Sequence, residues 1–238
     1  MKTTVRLGRA AGALLVLVGC AGGSPQARLA LPQNGTARML ALGDSYTIGE
    51  GVAPAERWPV QLAERLRARG VAIASPRIIA RTGWTCRALA AAIASERPRG
   101  PFELVTLAIG VNDQFGGGEA ERYRGEFASL LATAIGLAGG RAERVLVLSI
   151  PDWGVTPFAA GREPRRIATE IDAYNAVNRA ETERAGAVYV DVTELSRERG
   201  GEAGMLAADG LHPSGRLYAV WAEHAMRPAL DALTSPAK

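Results

Sequence analysis

Met39-Leu40-Ala41-Leu42-Gly43-Asp44-Ser45 is a run of four apolar residues that ends in a glycine and two polar residues. A short apolar run closed by a turn residue is typical of a buried strand. The segment that follows, 58–69, carries Trp58, Leu62 and Leu66 at the helical spacing of four. The two segments together predict a strand followed by a helix.

The same alternation continues along the rest of the chain. Further strands are predicted at 71–73 with 77–80, 102–109, 145–150 and 188–190, and further helices at 87–96, 119–137, 165–185 and 213–233. Largely apolar strands separated by helices indicate a parallel sheet covered on both faces. Right-handed crossovers then give an α/β fold, a three-layer α/β/α flavodoxin-like sheet of about five parallel strands.

Length and composition place the chain among ordinary globular proteins. Its 238 residues suit one α/β domain, and the hydrophobic fraction of 47% argues against a disordered chain. Removing residues 1–19, which carry three basic residues and no acidic one, lowers the formal charge from +4 to +1. A nearly neutral mature chain gives no electrostatic reason to expect a nucleic acid partner.

The N-terminus is typical of an exported protein. Lys2, Arg6 and Arg9 precede an apolar run that is too short to span a bilayer, and the run ends in Leu17-Val18-Gly19-Cys20. This ending resembles a bacterial lipobox, in which the cysteine is acylated; the alternative is a plain secretory peptide that ends in cysteine. We expect a signal peptide at 1–19, a lipidated Cys20 with a flexible tether at 20–38, and a folded domain at 39–238.

This organisation predicts a chain held at the cell envelope. The lipid would tether it to a membrane, with the outer membrane or periplasm as the expected location. Cys86 is the other cysteine of the chain, so an acylated Cys20 leaves it as a lone thiol with a default place in the core. The oligomeric state does not follow from the sequence.

Four polar segments each follow a predicted strand. They are Gly43-Asp44-Ser45, Arg81-Thr82-Gly83, Gly110-Val111-Asn112-Asp113 and Asp209-Gly210-Leu211-His212. The carboxyl ends of parallel strands meet at one edge of a sheet, where ligands bind in open α/β folds. A serine, a histidine, a carboxylate, an amide and backbone donors therefore converge there, and these are the groups that acyl transfer needs.

The four segments resemble the blocks of the SGNH hydrolases, the GDSL-type esterases and lipases, in order and spacing over residues 39–230. The resemblance implies that Ser45 is the nucleophile, His212 the general base and Asp209 the carboxylate that orients His212. It also implies an oxyanion hole made by the N–H groups of Ser45 and Gly83 and the side chain of Asn112. Pro213 is expected in the first turn of the last helix, where it would hold the His212 backbone.

Each of these residues also has a simpler interpretation. Ser45 would otherwise be a helix N-cap, and Asp209 and Asn112 would be turn residues. Asp191, at the end of the last strand, is the alternative carboxylate. His224, within the last helix, is expected at the surface.

The leading hypothesis is a serine ester hydrolase that acts on a small-molecule ester or an acylated lipid or sugar. The alternatives are a carbohydrate O-acetylesterase of cell-wall or matrix sugars and a non-catalytic, lipid-anchored binding protein. The sequence has no G-x-S-x-G, no dinucleotide or P-loop motif and no metal-ligand spacing, so we expect neither a cofactor nor a metal. Trp84, Phe115, Trp153 and Phe158 are candidates to line the substrate site.

Overall fold

Five short apolar segments form the centre of the molecule. The computed structural model describes residues 1–2 and 35–234, so Cys20, all but the first two residues of the predicted signal peptide and most of the predicted tether lie outside the described residues. The strands are β1 (Met39–Gly43), β2 (Arg77–Ala80), β3 (Leu104–Ala108), β4 (Val145–Leu148) and β5 (Val188–Val190). Every strand pair is parallel and the spatial order is β2-β1-β3-β4-β5, which confirms the predicted flavodoxin-like sheet.

The helices occur between the strands and after the last of them. They are α1 (Ser45–Ile48), α2 (Trp58–Ala68), α3 (Cys86–Glu96), α4 (Val111–Phe115), α5 (Ala120–Leu137), α6 (Pro164–Arg184), α7 (Thr193–Arg199), α8 (Gly215–His224) and α9 (Met226–Thr234). One layer contains α2, α8 and α9, and the other contains α3, α5 and α6. The sheet between them is buried at every position of β1, β3 and β4, as the apolar runs predict.

The structure corrects two of the predicted elements. Residues 71–73 do not join β2; Ile73 forms only an isolated bridge with Ala37, and Pro76, which has no N–H to donate, separates it from β2. The single helix predicted at 213–233 is two helices, α8 and α9. Pro228 lies in the first turn of α9, where its missing N–H is tolerated, whereas the interior of one long helix would not tolerate it.

Candidate active site

The first polar block turns the chain from β1 into α1. Ser45 is the first residue of α1, and Asp44 is its N-cap, with Oδ1 accepting a hydrogen bond of 3.0 Å from the N–H of Tyr46. Gly43 is required here because a Cβ atom would lie 2.2 Å from Thr47 Oγ1 and 2.5 Å from the Ala108 carbonyl oxygen. Since Asp44 caps the helix, the hydroxyl of Ser45 is not used as a cap.

Asp44 is buried, and within residues 35–234 it forms no ion pair with a cationic side chain. Burial raises the pKa of Asp44 from 3.8 to about 7, against the hydrogen bond from Tyr46, which lowers it. The nearby Asp113 carboxylate raises it further. The carboxyl beside the candidate nucleophile therefore keeps its proton more readily than an exposed aspartate.

The last polar block holds a histidine against a carboxylate. His212 Nδ1 lies 2.7 Å from Asp209 Oδ2, and Asp209 Oδ1 accepts hydrogen bonds from the N–H groups of Leu211 at 2.9 Å and His212 at 3.0 Å. Burial raises the pKa of Asp209, but the hydrogen bonds from His212 and the two backbone groups outweigh it and hold that pKa below its ordinary value. Asp209 is thus a turn residue and a partner of His212 at once.

Backbone hydrogen bonds within the loop around His212, rather than a helix, hold its backbone in place. The N–H of Ala207 donates to the His212 carbonyl at 2.8 Å, and that of Ser214 donates to the Met205 carbonyl at 2.8 Å. Pro213 lies before α8, whose N-cap is Ser214, so its predicted place in the helix is wrong. Gly210 supplies the positive φ of 65° that the turn between Asp209 and His212 requires.

The residue that follows Ser45 lies beside His212. The ring of Tyr46 lies 5.2 Å from the His212 ring, centre to centre, and both side chains are buried. Among residues 35–234, the Ser45 hydroxyl makes no hydrogen bond to His212. Hydrogen bonds between a nucleophile and its base are often long in an unliganded enzyme and shorten when substrate binds.

The predicted oxyanion donors have N–H groups available. Within the described part of the chain, the backbone N–H groups of Ser45 and Gly83 donate no hydrogen bond. Gly83 is exposed with φ at 83°, and no atom lies within 4 Å of the place where a Cβ would stand. Asn112 Nδ2 donates to the Trp84 carbonyl at 2.9 Å, which uses one of its two amide protons and leaves the other.

A second link joins the Gly83 loop to the third polar block. The carboxylate of Asp113 accepts a hydrogen bond of 3.1 Å from the N–H of Cys86, the first residue of α3. Burial raises the pKa of Asp113 to about 6, while the Cys86 hydrogen bond lowers it. Asp113 belongs to the third polar block, but the sequence alone predicts no role for it. Its contact shows that it holds the Gly83 loop in place together with Asn112.

Asp191, the alternative carboxylate, has partners other than His212. Asp191 Oδ2 lies 3.1 Å from Arg179 Nη2, and Asp191 Oδ1 accepts from Ser149 Oγ and the N–H of Thr193. His224 is exposed at the end of α8, as predicted. Asp191 is therefore a residue between β5 and α7 that accepts a hydrogen bond from the first residue of α7, and Asp209 is the carboxylate that contacts His212.

Three aromatic side chains form a cluster next to this edge. The ring centres of Phe115, Trp153 and Phe158 lie 5.4–6.3 Å apart, and the guanidinium of Arg162 lies 5.1–5.4 Å from each. The N–H of Phe158 donates to the Gly210 carbonyl at 3.1 Å, which joins the cluster to the His212 loop. Phe115 is 48% exposed and Phe158 40% exposed, so part of the aromatic surface is open to a ligand.

The remaining predictions concern metals, membranes and the lone thiol. In residues 1–2 and 35–234, no three or more His, Cys, Asp or Glu side chains gather in a way that could hold a metal ion. No helix in that part of the chain is long and apolar enough to cross a bilayer. Cys86 is buried, as predicted, and forms no disulfide within the described residues; burial raises its pKa well above the usual range.

Solved structures with similar folds are numerous. The chain superimposes on TesA at a TM-score of 0.60 and 24% identity, over 80% of this chain and 97% of that one. It also matches a lipase/acylhydrolase from Enterococcus faecalis (TM-score 0.62, 22% identity, 85% and 100% covered). A third match is a variant of Axe2, an acetyl-xylooligosaccharide esterase from Geobacillus (TM-score 0.60, 19% identity, 82% and 95% covered). These similarities show the fold.

The sequence itself identifies the family. No curated protein matches the chain significantly. The model of the GDSL-like lipase/acylhydrolase family matches residues 41–220, which contain all four polar blocks. The chain therefore belongs to the GDSL-like lipase/acylhydrolase family of ester hydrolases.

Proposed function

We propose that this ester hydrolase uses Ser45, His212 and Asp209 as a catalytic triad and passes through an acyl-enzyme. The observation that carries the proposal is the contact of 2.7 Å between His212 Nδ1 and Asp209 Oδ2. A carboxylate on Nδ1 holds that nitrogen in its protonated form, so Nε2 is left as the base. The buried His212 ring lies against Tyr46, the neighbour of Ser45.

The reaction begins with proton transfer to His212. Its Nε2 takes the hydroxyl proton of Ser45 as Oγ attacks the carbonyl carbon of the ester. The negative charge moves to the carbonyl oxygen, where the N–H groups of Ser45 and Gly83 and the amide of Asn112 stabilise it. Each such donor lowers the barrier by roughly 3–4 kcal/mol.

The second half of the reaction returns the proton. His212 protonates the departing alcohol, and the acyl group stays on Ser45. Water then attacks the acyl-enzyme, with His212 as base, and releases the acid. No step uses a metal or a cofactor.

In this proposal the larger part of the substrate lies over the aromatic cluster of Phe115, Trp153 and Phe158. The cavity beneath Asp44 and Tyr46 is only about 10 Å³, too small for an acyl chain. The cleft beside the cluster is about 510 Å³, within the range of small-molecule sites. Arg162, Arg166 and Glu170 supply polar groups around it.

This mixture of aromatic faces and charged groups also favours the second candidate, a carbohydrate O-acetylesterase. A sugar presents an apolar face for stacking and hydroxyls for hydrogen bonds, whereas a long acyl chain has no use for the charged groups. The two candidates share the triad and differ in the alcohol. Hydrolysis rates on acetylated sugars and on p-nitrophenyl esters from acetate to palmitate distinguish them.

The test of the proposed triad is the activity of Ser45→Ala. We expect hydrolysis of p-nitrophenyl acetate to fall by a factor of roughly 10³ or more, because the acyl-enzyme cannot form. Ser129→Ala, on the exposed face of α5, is the matched control and should keep full activity. Activity of Ser45→Ala within a few-fold of the parent would refute the proposal.

We also propose that the chain is exported and acylated at Cys20. The support is the sequence of the first twenty residues: a basic start, a short apolar run and the lipobox-like Leu17-Val18-Gly19-Cys20. Ala21 follows the cysteine in place of the aspartate associated with retention in the inner membrane of some bacteria. The expected location is therefore the outer membrane, with the domain in the periplasm or outside the cell.

A further inference from the structure

A cavity of about 800 Å³ lies at the edge of the sheet opposite to Ser45. It is bounded by the beginnings of β1 and β2 and by the end of α3. Its lining contains Arg38, Arg77, Arg97 and Arg99, and Glu96 is the acidic residue among the described residues that line it. We call it the arginine cavity.

Two of the arginines are fixed by contacts with the surrounding chain. Arg38 donates to the carbonyls of Arg99, at 3.2 Å, and Pro101, and its guanidinium lies 4.9 Å from the centre of the Phe102 ring. These partners of the guanidinium are neutral, whereas the Glu103 carboxylate accepts a hydrogen bond of 2.7 Å from the backbone N–H of Arg38 and offsets part of its charge. Arg77, by contrast, pairs with Glu96 at 3.0 Å.

The other two arginines carry charge that the described chain does not neutralise. Arg97 and Arg99 are exposed, and neither forms an ion pair within residues 35–234. The preceding segment cannot supply a carboxylate side chain either, because residues 1–34 contain no aspartate or glutamate. Among the described residues, the lining therefore carries an excess of positive charge that an anionic ligand would balance.

Arg97 occupies a backbone conformation that its side chain disfavours. Its φ is +43°, the only positive φ of a non-glycine residue among those that the structure describes. The residue caps the end of α3, a position that glycine or asparagine fills with less strain. Such a conformation costs about 1–3 kcal/mol and persists only where the surrounding structure compensates it.

The position of the cavity indicates what supplies the anion. Arg38 borders it and directly precedes β1, so the described chain enters β1 from this edge, eighteen residues after Cys20. Cys20 lies eighteen residues before Arg38, a span of at most about 60 Å if fully extended. The catalytic edge lies at the other end of β1, whose five residues cover roughly 16 Å.

We propose that the arginine cavity binds the phosphate groups of anionic lipids, so that the domain docks on a membrane by this edge. Guanidinium groups bind phosphate through paired N–H donors, and arginines near an anionic surface add to binding one by one. The active site then faces away from the membrane, toward substrates in the surrounding medium. This inference does not depend on the proposed esterase, but its choice of a lipid phosphate as the ligand rests on the proposed anchor at Cys20.

The test measures binding of the complete chain to vesicles. The protein carries Cys20→Ser, so that no acyl group contributes, and is sedimented with vesicles of phosphatidylcholine alone or with about 30% phosphatidylglycerol. The variant Arg97→Gln/Arg99→Gln removes the two unpaired guanidinium groups. The variant Arg122→Gln/Arg165→Gln changes the net charge equally on exposed positions of α5 and α6. Arg97→Gly, which suits the left-handed backbone, guards against misfolding.

We expect phosphatidylglycerol to increase partitioning at least tenfold, and the Arg97→Gln/Arg99→Gln variant to lose most of that increase. Arg97→Gly should lose several-fold, the control variant less than twofold, and all should hydrolyse p-nitrophenyl acetate like the parent if the esterase proposal holds. Equal loss in both double variants, or no effect of phosphatidylglycerol, would overturn the proposal. So would calorimetric binding of inorganic phosphate at micromolar concentration without any preference for anionic vesicles, which would identify a free anion as the ligand.

Discussion

At the residue scale, Asp209 uses both carboxylate oxygens to fix His212. One contacts the imidazole and the other accepts two backbone N–H groups of the same loop, so ring and backbone are oriented together. Asp191 has an equivalent number of partners, but they are Arg179, Ser149 and the start of α7. The two carboxylates therefore differ in what they hold: Asp209 orients His212, and Asp191 contacts Arg179 and the start of α7.

We predict that Asp209→Asn lowers kcat by roughly a hundredfold or more, since the amide favours the wrong tautomer of His212 and cannot stabilise its charged form. Asp191→Asn should change kcat by less than about threefold. Its partly exposed pair with Arg179 contributes no more than about 1 kcal/mol to the free energy of unfolding. Steady-state rates on p-nitrophenyl acetate compare the two. The reverse order of losses would show that the carboxylate has been misassigned.

A second residue-scale prediction concerns Asp44, whose pKa burial raises from 3.8 to about 7. Between these values the folded state holds a proton that the unfolded state releases, so the free energy of unfolding falls as pH rises through that window. Asp44→Asn removes this dependence and keeps an acceptor for the N–H of Tyr46. Between pH 4.5 and 7.5 the free energy of unfolding should fall by about 2–4 kcal/mol less in the variant than in the parent.

Urea unfolding at the two pH values gives this difference directly. Asp113, whose pKa burial also raises, is present in both proteins, so the part of its titration that is independent of Asp44 cancels in the comparison. Parallel pH profiles for the parent and Asp44→Asn would mean that Asp44 is ionised in the folded protein.

At the element scale, the site depends on how closely β1, α1 and β3 approach each other. We predict that Gly43→Ala lowers the free energy of unfolding by about 2 kcal/mol or more, because the added methyl meets Thr47 and the Ala108 carbonyl. Gly125→Ala is the matched control on the exposed face of α5, where a Cβ meets no other atom within 4 Å. Removing a helical glycine there should stabilise the protein by about 0.5–1 kcal/mol.

Chemical denaturation of both alanine variants measures the contrast. A Gly43→Ala protein as stable as the parent would show that the turn between β1 and α1 accommodates a methyl group without a clash. A loss in Gly125→Ala would point to a contact of α5 that the structure does not contain.

The elements also show where sequence patterns are informative. The apolar strands and the long amphipathic helices α2, α5 and α6 were predictable, because burial imposes a period on many residues at once. The short helices α4 and α7 were not, since five and seven residues are too few to show a period. The helix predicted at 213–233 runs through the break between α8 and α9, although Pro228 marks that break.

The candidate site follows the same division. The convergence of the four polar blocks was predictable from topology alone, because each block follows a strand of a parallel sheet. The contacts of Asp113 with Cys86 and of Asn112 with the Trp84 carbonyl were not, since they join loops that are distant in sequence. The positions of Phe115 and Phe158 beside the His212 loop likewise needed the fold.

At the scale of the whole molecule, the two edges of the sheet have different proposed tasks. The carboxyl ends of the strands carry the candidate active site, and the amino ends carry the arginine cavity and the chain that leads to Cys20. We predict that the mature protein begins at an acylated Cys20 and sediments with membranes. Cys20→Ser should release it or leave the uncleaved precursor, with the catalytic domain unharmed.

Mass spectrometry of the N-terminal peptide and fractionation of cells measure this. Two or more acyl chains anchor a protein stably, whereas one is marginal. A soluble wild-type protein with an N-terminus other than Cys20 would refute the anchor and leave the esterase proposal intact.

The most direct test of the central claim, that Ser45 is the nucleophile, is covalent labelling with a fluorophosphonate. The probe reacts with a serine whose hydroxyl an adjacent base has activated, so the intact protein should gain one adduct that peptide mapping places on Ser45. Ser45→Ala should take up none, and His212→Ala should react far more slowly. An adduct on another residue, or ester hydrolysis that survives without any label on Ser45, would contradict the account.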